Sequence, residues 1–216
     1  MPMTLLLTPD ELLTTTRAVR KRLDLERPVS RALIGECLEV ALQAPNGSNM
    51  QLWRWVVVDD RNTIEKLAGL YNEAIEEYSK LYDSGELGER ARQDPGFDRM
   101  TESVMHLAQN LHRSPALLVP CIAGRMETQD IFTQASLWGS VIPAIWSFML
   151  ALRSRGLGSA WTTVHLHREK EAATLLGIPY PHYTQAGLFP VAYTLGTEFK
   201  RARRRPAADV IHWNRW

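Results

Sequence analysis

From Ile131 to Leu152 the chain carries no charged residue. As a helix that stretch is long enough to cross a bilayer. However, Thr133, Gln134, Ser136, Gly139, Ser140 and Ser147 interrupt it, and they lower its hydropathy. A helix of this mixed character is expected to be central and covered on nearly all sides, by a core or by a dimer interface. Pro143 allows a kink within it. At 216 residues the chain can bury a sizeable core and needs no more than one domain, 1–216. One domain of that size would struggle to cover such a helix alone, so an obligate dimer is expected. No membrane span is expected.

Charge and cysteine usage narrow the function classes. The net charge is +1, which argues neither for a polyanion-binding domain nor for an acidic one. Cys37 and Cys121 sit among apolar neighbours, as buried thiols of a reducing compartment do. No basic region precedes an apolar run and a small-residue cleavage site, so no signal peptide is expected. The expected location is cytoplasmic.

Read in order, helices and strands alternate. Thr8-Pro9-Asp10-Glu11 opens a first helix, with Leu12, Leu13 and Val19 as its apolar positions. Pro28 breaks the chain and Ser30 caps a second helix carrying Leu33, Ile34, Cys37, Leu38, Ala41 and Leu42. Trp53 to Val58 reads as a strand, followed by a helix from about Thr63 to Tyr82. Asp83 to Arg99 is charged, contains Gly85, Gly88, Pro95 and Gly96, and has no clear period, so it reads as a mobile, exposed insertion. A helix around Met105 to Leu111 follows. Ala116 to Ala123 reads as a buried strand, although Pro120 argues against a central place. After the long helix, Ser159 to Val164 reads as a strand, Glu169 to Leu176 as a short helix, and Phe189 to Leu195 as a strand. An extended tail runs from about residue 197. The class is α/β or α+β with one core.

The loop Ala44-Pro45-Asn46-Gly47-Ser48-Asn49-Met50-Gln51-Leu52-Trp53 joins helix to strand. Pro45 stops the helix, and Asn46-Gly47 favours a turn with positive φ. Such a loop presents backbone N–H groups and amide heads together, which suits a polar planar ligand. An ordinary connecting loop would read the same way. Two basic clusters, Arg17 to Arg22 and Lys200 to Arg205, lie at opposite ends of the chain. They are either solvated charge on a helix end and a tail, or a pair from which one arginine each converges on a phosphate. Nucleic acid is disfavoured, since the chain is near neutral and no aromatics interleave the clusters. His165-Leu166-His167 would place two imidazoles on one side of an extended segment. No further Cys or His stands at ligand spacing, so no metal is expected. Gly-x-Ser-x-Gly, the P-loop and Gly-x-Gly-x-x-Gly are all absent. With no evident acid, base or nucleophile, and no catalytic side chain to name, the residues suggest that a cofactor performs the chemistry.

In combination these segments resemble the nitroreductase family of flavin-dependent oxidoreductases. Arg17-Ala18-Val19-Arg20 is similar to its Arg-Ser-x-Arg phosphate segment, with Ala18 in place of serine. Ala44 to Trp53 resembles its Ala-Pro-Ser-x-x-Asn-x-Gln-Pro-Trp, with Asn46 for serine and Leu52 for proline. Gly156 to Thr163 resembles the loop and strand beside the flavin ring, without the glycine common near Thr163. Arg204-Arg205-Pro206 resembles the arginine-proline tail. The resemblance implies an α+β sandwich, with a central, mostly antiparallel sheet flanked by helices, in an intertwined homodimer. It implies FMN at the subunit interface, its phosphate held by Arg17, Arg20 and Arg204. Pro45, Asn46, Gly47 and Asn49 would reach that flavin from the other subunit, with Gln51 helping to place it. Trp161, Thr162 and Thr163 would lie along the ring. NADH or NADPH would deliver hydride to flavin N5, and an electron-poor small molecule, a nitroaromatic or quinone, would then be reduced at the same site by a ping-pong mechanism. The alternative is a non-catalytic flavin-binding or flavin-storage protein.

Overall fold

The structure is a computed structural model, and it describes residues 4–80 and 85–216. Helix α1 (Pro9–Thr15) is set by a capping box. The Thr8 hydroxyl accepts from the Glu11 N–H (3.2 Å), while the Thr8 N–H donates to Glu11 Oε2 (2.8 Å). The two-residue strand β1 (Leu23–Asp24) leads to α2 (Arg31–Ala41), capped by Ser30 as expected. Strand β2 (Trp53–Val58) and helix α3 (Arg61–Lys80) follow. Helices α4 (Gly85–Arg92) and α5 (Phe97–Asn110) precede the central strand β3 (Ala116–Ala123). The long helix α6 (Ile131–Ser154), the short strand β4 (Leu157–Gly158), α7 (Glu169–Leu176), β5 (Tyr183–Gln185) and β6 (Phe189–Thr194) complete the chain.

All strand pairings are antiparallel. The main path runs β1-β6-β3-β2, with β4 also on β6 and β5 also on β3. Strand β3 is buried on both faces, and its side chains divide by the period of two. Ala116, Leu118 and Ile122 join α2 and α6 on one side; Leu117, Val119 and Cys121 join α3, α5 and α7 on the other. The result is an α+β sandwich of three layers around one antiparallel sheet.

Several expectations give way to tertiary context. Pro120 does lie in the central strand. On one edge β6 pairs with Ala116–Leu118 and β5 with Cys121–Ala123, so Pro120 falls where one neighbour gives way to the other and its missing N–H costs no ladder bond. Its carbonyl still accepts from the Ala186 N–H (2.8 Å). The stretch read as an exposed insertion holds α4 and the start of α5; Asp83 and Ser84 lie outside the described residues. There the charges form the solvent face of short helices, which hid their period. The first helix stops at Thr15, so Arg17, Val19 and Arg20 lie on extended chain rather than a helix end. Ser159 to Val164 is no regular strand: it makes isolated bridges at Ser159 and Thr162 and then turns. The histidine pair sits in that 3-10 turn, with His165 fully buried and His167 against Glu77 (3.2 Å), not on an exposed strand end. Among the described residues no cluster could hold a metal.

Candidate functional site

Three segments carry the residues singled out in the sequence. The first is the loop after α2. Its Gly47 N–H donates to Ser140 Oγ (2.8 Å) on α6, and Ser140 Oγ donates onward to the Ser136 carbonyl (2.8 Å). A Cβ on Gly47 would stand 2.9 Å from Ser136 Oγ and 3.3 Å from Ser140 Oγ, so a larger residue there would push on the helix's serines. Asn46 turns inward and accepts from the Gln51 N–H (2.9 Å). Ser48, Asn49 and Gln51 all have φ between 51° and 53°. Three non-glycine residues in the left-handed region mark a strained loop, of the kind found at ligand clamps. Pro45, Gly47, Asn49 and Gln51 are exposed along it.

The second segment is the basic stretch after α1. It is held flat by a parallel bridge between Ala18 and Ser159, and the Val19 N–H donates to the Ser159 carbonyl (2.8 Å). Gly158 permits this: a Cβ there would meet Thr194 at 2.7 Å and Val19 at 3.0 Å. On an extended chain Arg17 and Arg20 leave in different directions. Arg17 Nη1 donates to the Lys200 carbonyl (3.3 Å), so the two basic clusters do meet. Arg20 Nη1 reaches Ser103 Oγ (3.3 Å) on α5, and Lys21 pairs with Glu102 (2.5 Å). Arg204 is exposed and donates to the Arg203 carbonyl (3.2 Å); no hydrogen bond among the described residues joins it to Arg17. Ala18 offers no hydroxyl. Its bridge partner Ser159 has a buried hydroxyl with no hydrogen-bond partner among the described residues.

The third segment is Trp161 to Thr163. Trp161 Nε1 donates to the Ala186 carbonyl (2.9 Å), and its ring lies against Phe189 with centroids 5.5 Å apart. Thr162 exchanges backbone hydrogen bonds with Leu188 and places its hydroxyl 3.0 Å from that of Tyr71. Burial raises the Tyr71 pKa, while the Thr162 hydrogen bond and the nearby Arg20 charge oppose the rise. Arg20, Tyr71 and Thr162 are thus one electrostatic neighbourhood. Thr163 is exposed. Tyr71 and Ser103 were not singled out in the sequence. Tyr71 sits on the apolar stripe of α3 with Leu67 and Ala74, so nothing local set its phenol apart. Ser103 lies on α5, whose charged beginning carries no helical period in the sequence.

The model of the nitroreductase family matches residues 13–193, most of the chain. The chain belongs to the nitroreductase family. A protein of Archaeoglobus fulgidus assigned as an NADH dehydrogenase/NAD(P)H nitroreductase is 24% identical over 95% of this chain and 97% of its own length. Among solved structures, a mutant of an FMN- and NADPH-dependent nitroreductase from Sphigopyxis sp. strain HMH superposes with a TM-score of 0.72. It is 19% identical, over 97% of this chain and all of the other. A BluB-like flavoprotein from Clostridium difficile 630 gives 0.71 at 18% identity, over 97% of this chain and 100% of the other. Iodotyrosine deiodinase bound to FMN and 3-iodo-L-tyrosine gives 0.68 at 20% identity, over 93% and 96%. At these identities the structures establish the shared α+β sandwich, and family membership makes the chain an oxidoreductase of that class.

Proposed function

We propose that the protein is an FMN-dependent oxidoreductase that takes hydride from NADH or NADPH and delivers it to an electron-poor small molecule, a nitroaromatic, a quinone or a related acceptor, the two occupying one site in turn. Bound FMN supplies the hydride-accepting and hydride-donating centre. The observation that carries the reading is the meeting of the two basic clusters at Arg17 and Lys200, beside a glycine-permitted flat segment, in a chain of this family.

The residues fit such a cofactor. Arg17 would hold the phosphate with a planar fork suited to it, joined by Arg204 once the tail is seated. Ser159 would replace the hydroxyl that Ala18 lacks. Arg20, at Tyr71 and Thr162, would hold positive charge against the ring side of the cofactor rather than its phosphate, and this departs from the sequence expectation. Trp161, Thr162 and Thr163 would line the ring. The 45–51 loop, fixed on α6 and facing outward, would reach the flavin of a second subunit through Pro45, Asn49 and Gln51, while Asn46 braces the loop from within. A self-associated, cytoplasmic enzyme with no nucleic-acid or membrane partner completes the reading.

The test is the absorbance of the FMN-loaded protein under anaerobic conditions. Addition of NADH or NADPH is expected to bleach the flavin band, and a nitroaromatic or quinone to restore it. A flavin band that persists with both donors would leave a flavin-binding or storage protein instead. Failure to take up FMN would overturn both.

A further inference from the structure

Arg153, in the last turn of α6, is 6% exposed, yet its Nε and Nη1 have no hydrogen-bond partner among the described residues. Its one hydrogen bond among the described residues is long, Nη2 to Thr15 Oγ1 at 3.4 Å. The Phe199 ring lies 5.0 Å away, with Arg22 on the same ring at 4.1 Å. A guanidinium with two idle donors in so dry a place is under-satisfied, because buried charge is normally paired. It lines a cavity of about 240 Å³ between α1, the end of α6 and the segment after β6. At about 30 Å³ per water, that is room for several waters or one small organic molecule.

The walls define what fits. Leu5 and Leu7 supply apolar surface, and Glu11 and Glu198 add two carboxylates to the one arginine. Glu11 is held by the Thr8 cap, which keeps its pKa low and the group charged. Arg22, which donates to the carbonyls of Leu195, Gly196 and Glu198, and Arg201, which acts electrostatically on Glu11, keep their charges but do not line the cavity. A dianion would meet two negative walls. A plain amine would leave Arg153 idle. A zwitterion satisfies both signs at once.

We propose that this cavity is a second ligand site, sharing no residue with the proposed flavin site, and that it takes an apolar α-amino acid. The carboxylate sits on Arg153, the ammonium toward Glu198 and Glu11, and the side chain against Leu5 and Leu7. The site needs no flavin chemistry, so the proposal stands or falls apart from the assigned reaction.

The experiment is calorimetric titration of the purified full chain, with and without FMN, using leucine, 4-methylpentanoate and 3-methylbutylamine as probes. Leucine is expected to bind saturably in both states, and more tightly than either analogue. Arg153→Met should weaken leucine by about ten- to hundredfold, the loss of a charge-assisted pair. Glu198→Gln, an exposed change that leaves the fold alone, should erase the preference of leucine over 4-methylpentanoate. Absence of binding by leucine, equal affinity for leucine and 4-methylpentanoate in the wild type, or unchanged affinity in Arg153→Met would each overturn the proposal.

Discussion

Gly187 shows how much one missing side chain can decide. Its φ is 152°, and a Cβ there would lie 2.5 Å from Trp161 Nε1 and 3.0 Å from Phe189. The neighbouring Ala186 carbonyl is the acceptor that holds Trp161. Gly187→Ala is therefore expected to cost roughly 1–3 kcal/mol of stability and to move Trp161; urea unfolding and tryptophan fluorescence would check both. The arginines of the tail separate in the same way. If Arg204 reaches the phosphate, Arg204→Ala should weaken FMN by about ten- to hundredfold, the worth of a charge-assisted bond of about 1.5–3 kcal/mol. Arg201→Ala and Arg203→Ala should change it little, since exposed charges contribute about 0–1 kcal/mol. Riboflavin, without the phosphate, should bind wild type and Arg204→Ala alike. Equal losses across the three variants in a fluorescence titration would mean a diffuse basic tail.

The turn before α7 is an element built on one buried network. Glu169 makes a bidentate pair with Arg125 (2.9 and 2.7 Å), accepts from the Gln185 N–H (2.8 Å), and lends its carbonyl to the Gln185 side chain (2.8 Å). Arg125 also covers the Tyr180 ring at 4.0 Å. Gln185 then meets His165 Nε2 at 3.2 Å, and Nδ1 has no partner among the described residues. Burial pushes the His165 pKa down to about 4, against an ordinary 6.5, so the folded turn holds it neutral. The unfolded chain binds this proton first on acidification. Stability should therefore fall as pH drops from 6.5 toward 4, by roughly 3 kcal/mol in all from this one group. His165→Gln should flatten that part of the curve of urea midpoint against pH. A wild-type midpoint constant over the interval would show that His165 takes up its proton as readily in the fold as in the unfolded chain.

At the scale of the whole molecule, α6 presents two faces. Val141, Ala144, Ile145, Phe148 and Leu152 are in the core, while Phe132 (82% exposed), Ile142 (40%) and Trp146 (37%) form an apolar stripe on the other side, with Gly139 between them. The helix is long and apolar enough to span a membrane, and 44% of its apolar window is buried within the single chain. A second copy packed on that stripe would cover it and would bring the outward 45–51 loop, anchored at Ser140 on the same helix, to a neighbouring site. Trp146→Asp is expected to yield a monomer by light scattering and to lose FMN with the partner's loop. A variant that stays monomeric yet keeps full FMN affinity would show the site to be complete in one chain.

Local chemistry was enough for much of this. The capped starts of α1 and α2, the glycine-ended α7, the aromatic and β-branched run of β2 and the charge-free α6 all follow from spacing and backbone preference within a few residues, and the two arginine clusters and the 45–51 loop were visible as motifs. What needed the tertiary structure was every feature in which distant segments share one partner. Pro120 is tolerated in the centre because two different strands divide its edge; Ser159 to Val164 is irregular because the basic segment and Leu188 compete for its backbone. Tyr71 became part of the site only when Thr162 and Arg20 were brought against it, and Arg153 became an idle charge only when α1 and Phe199 closed over it. Periodicity reports which face of an element is apolar; which polar group is left without a partner is decided by what packs there, and that depends on contacts across the whole chain.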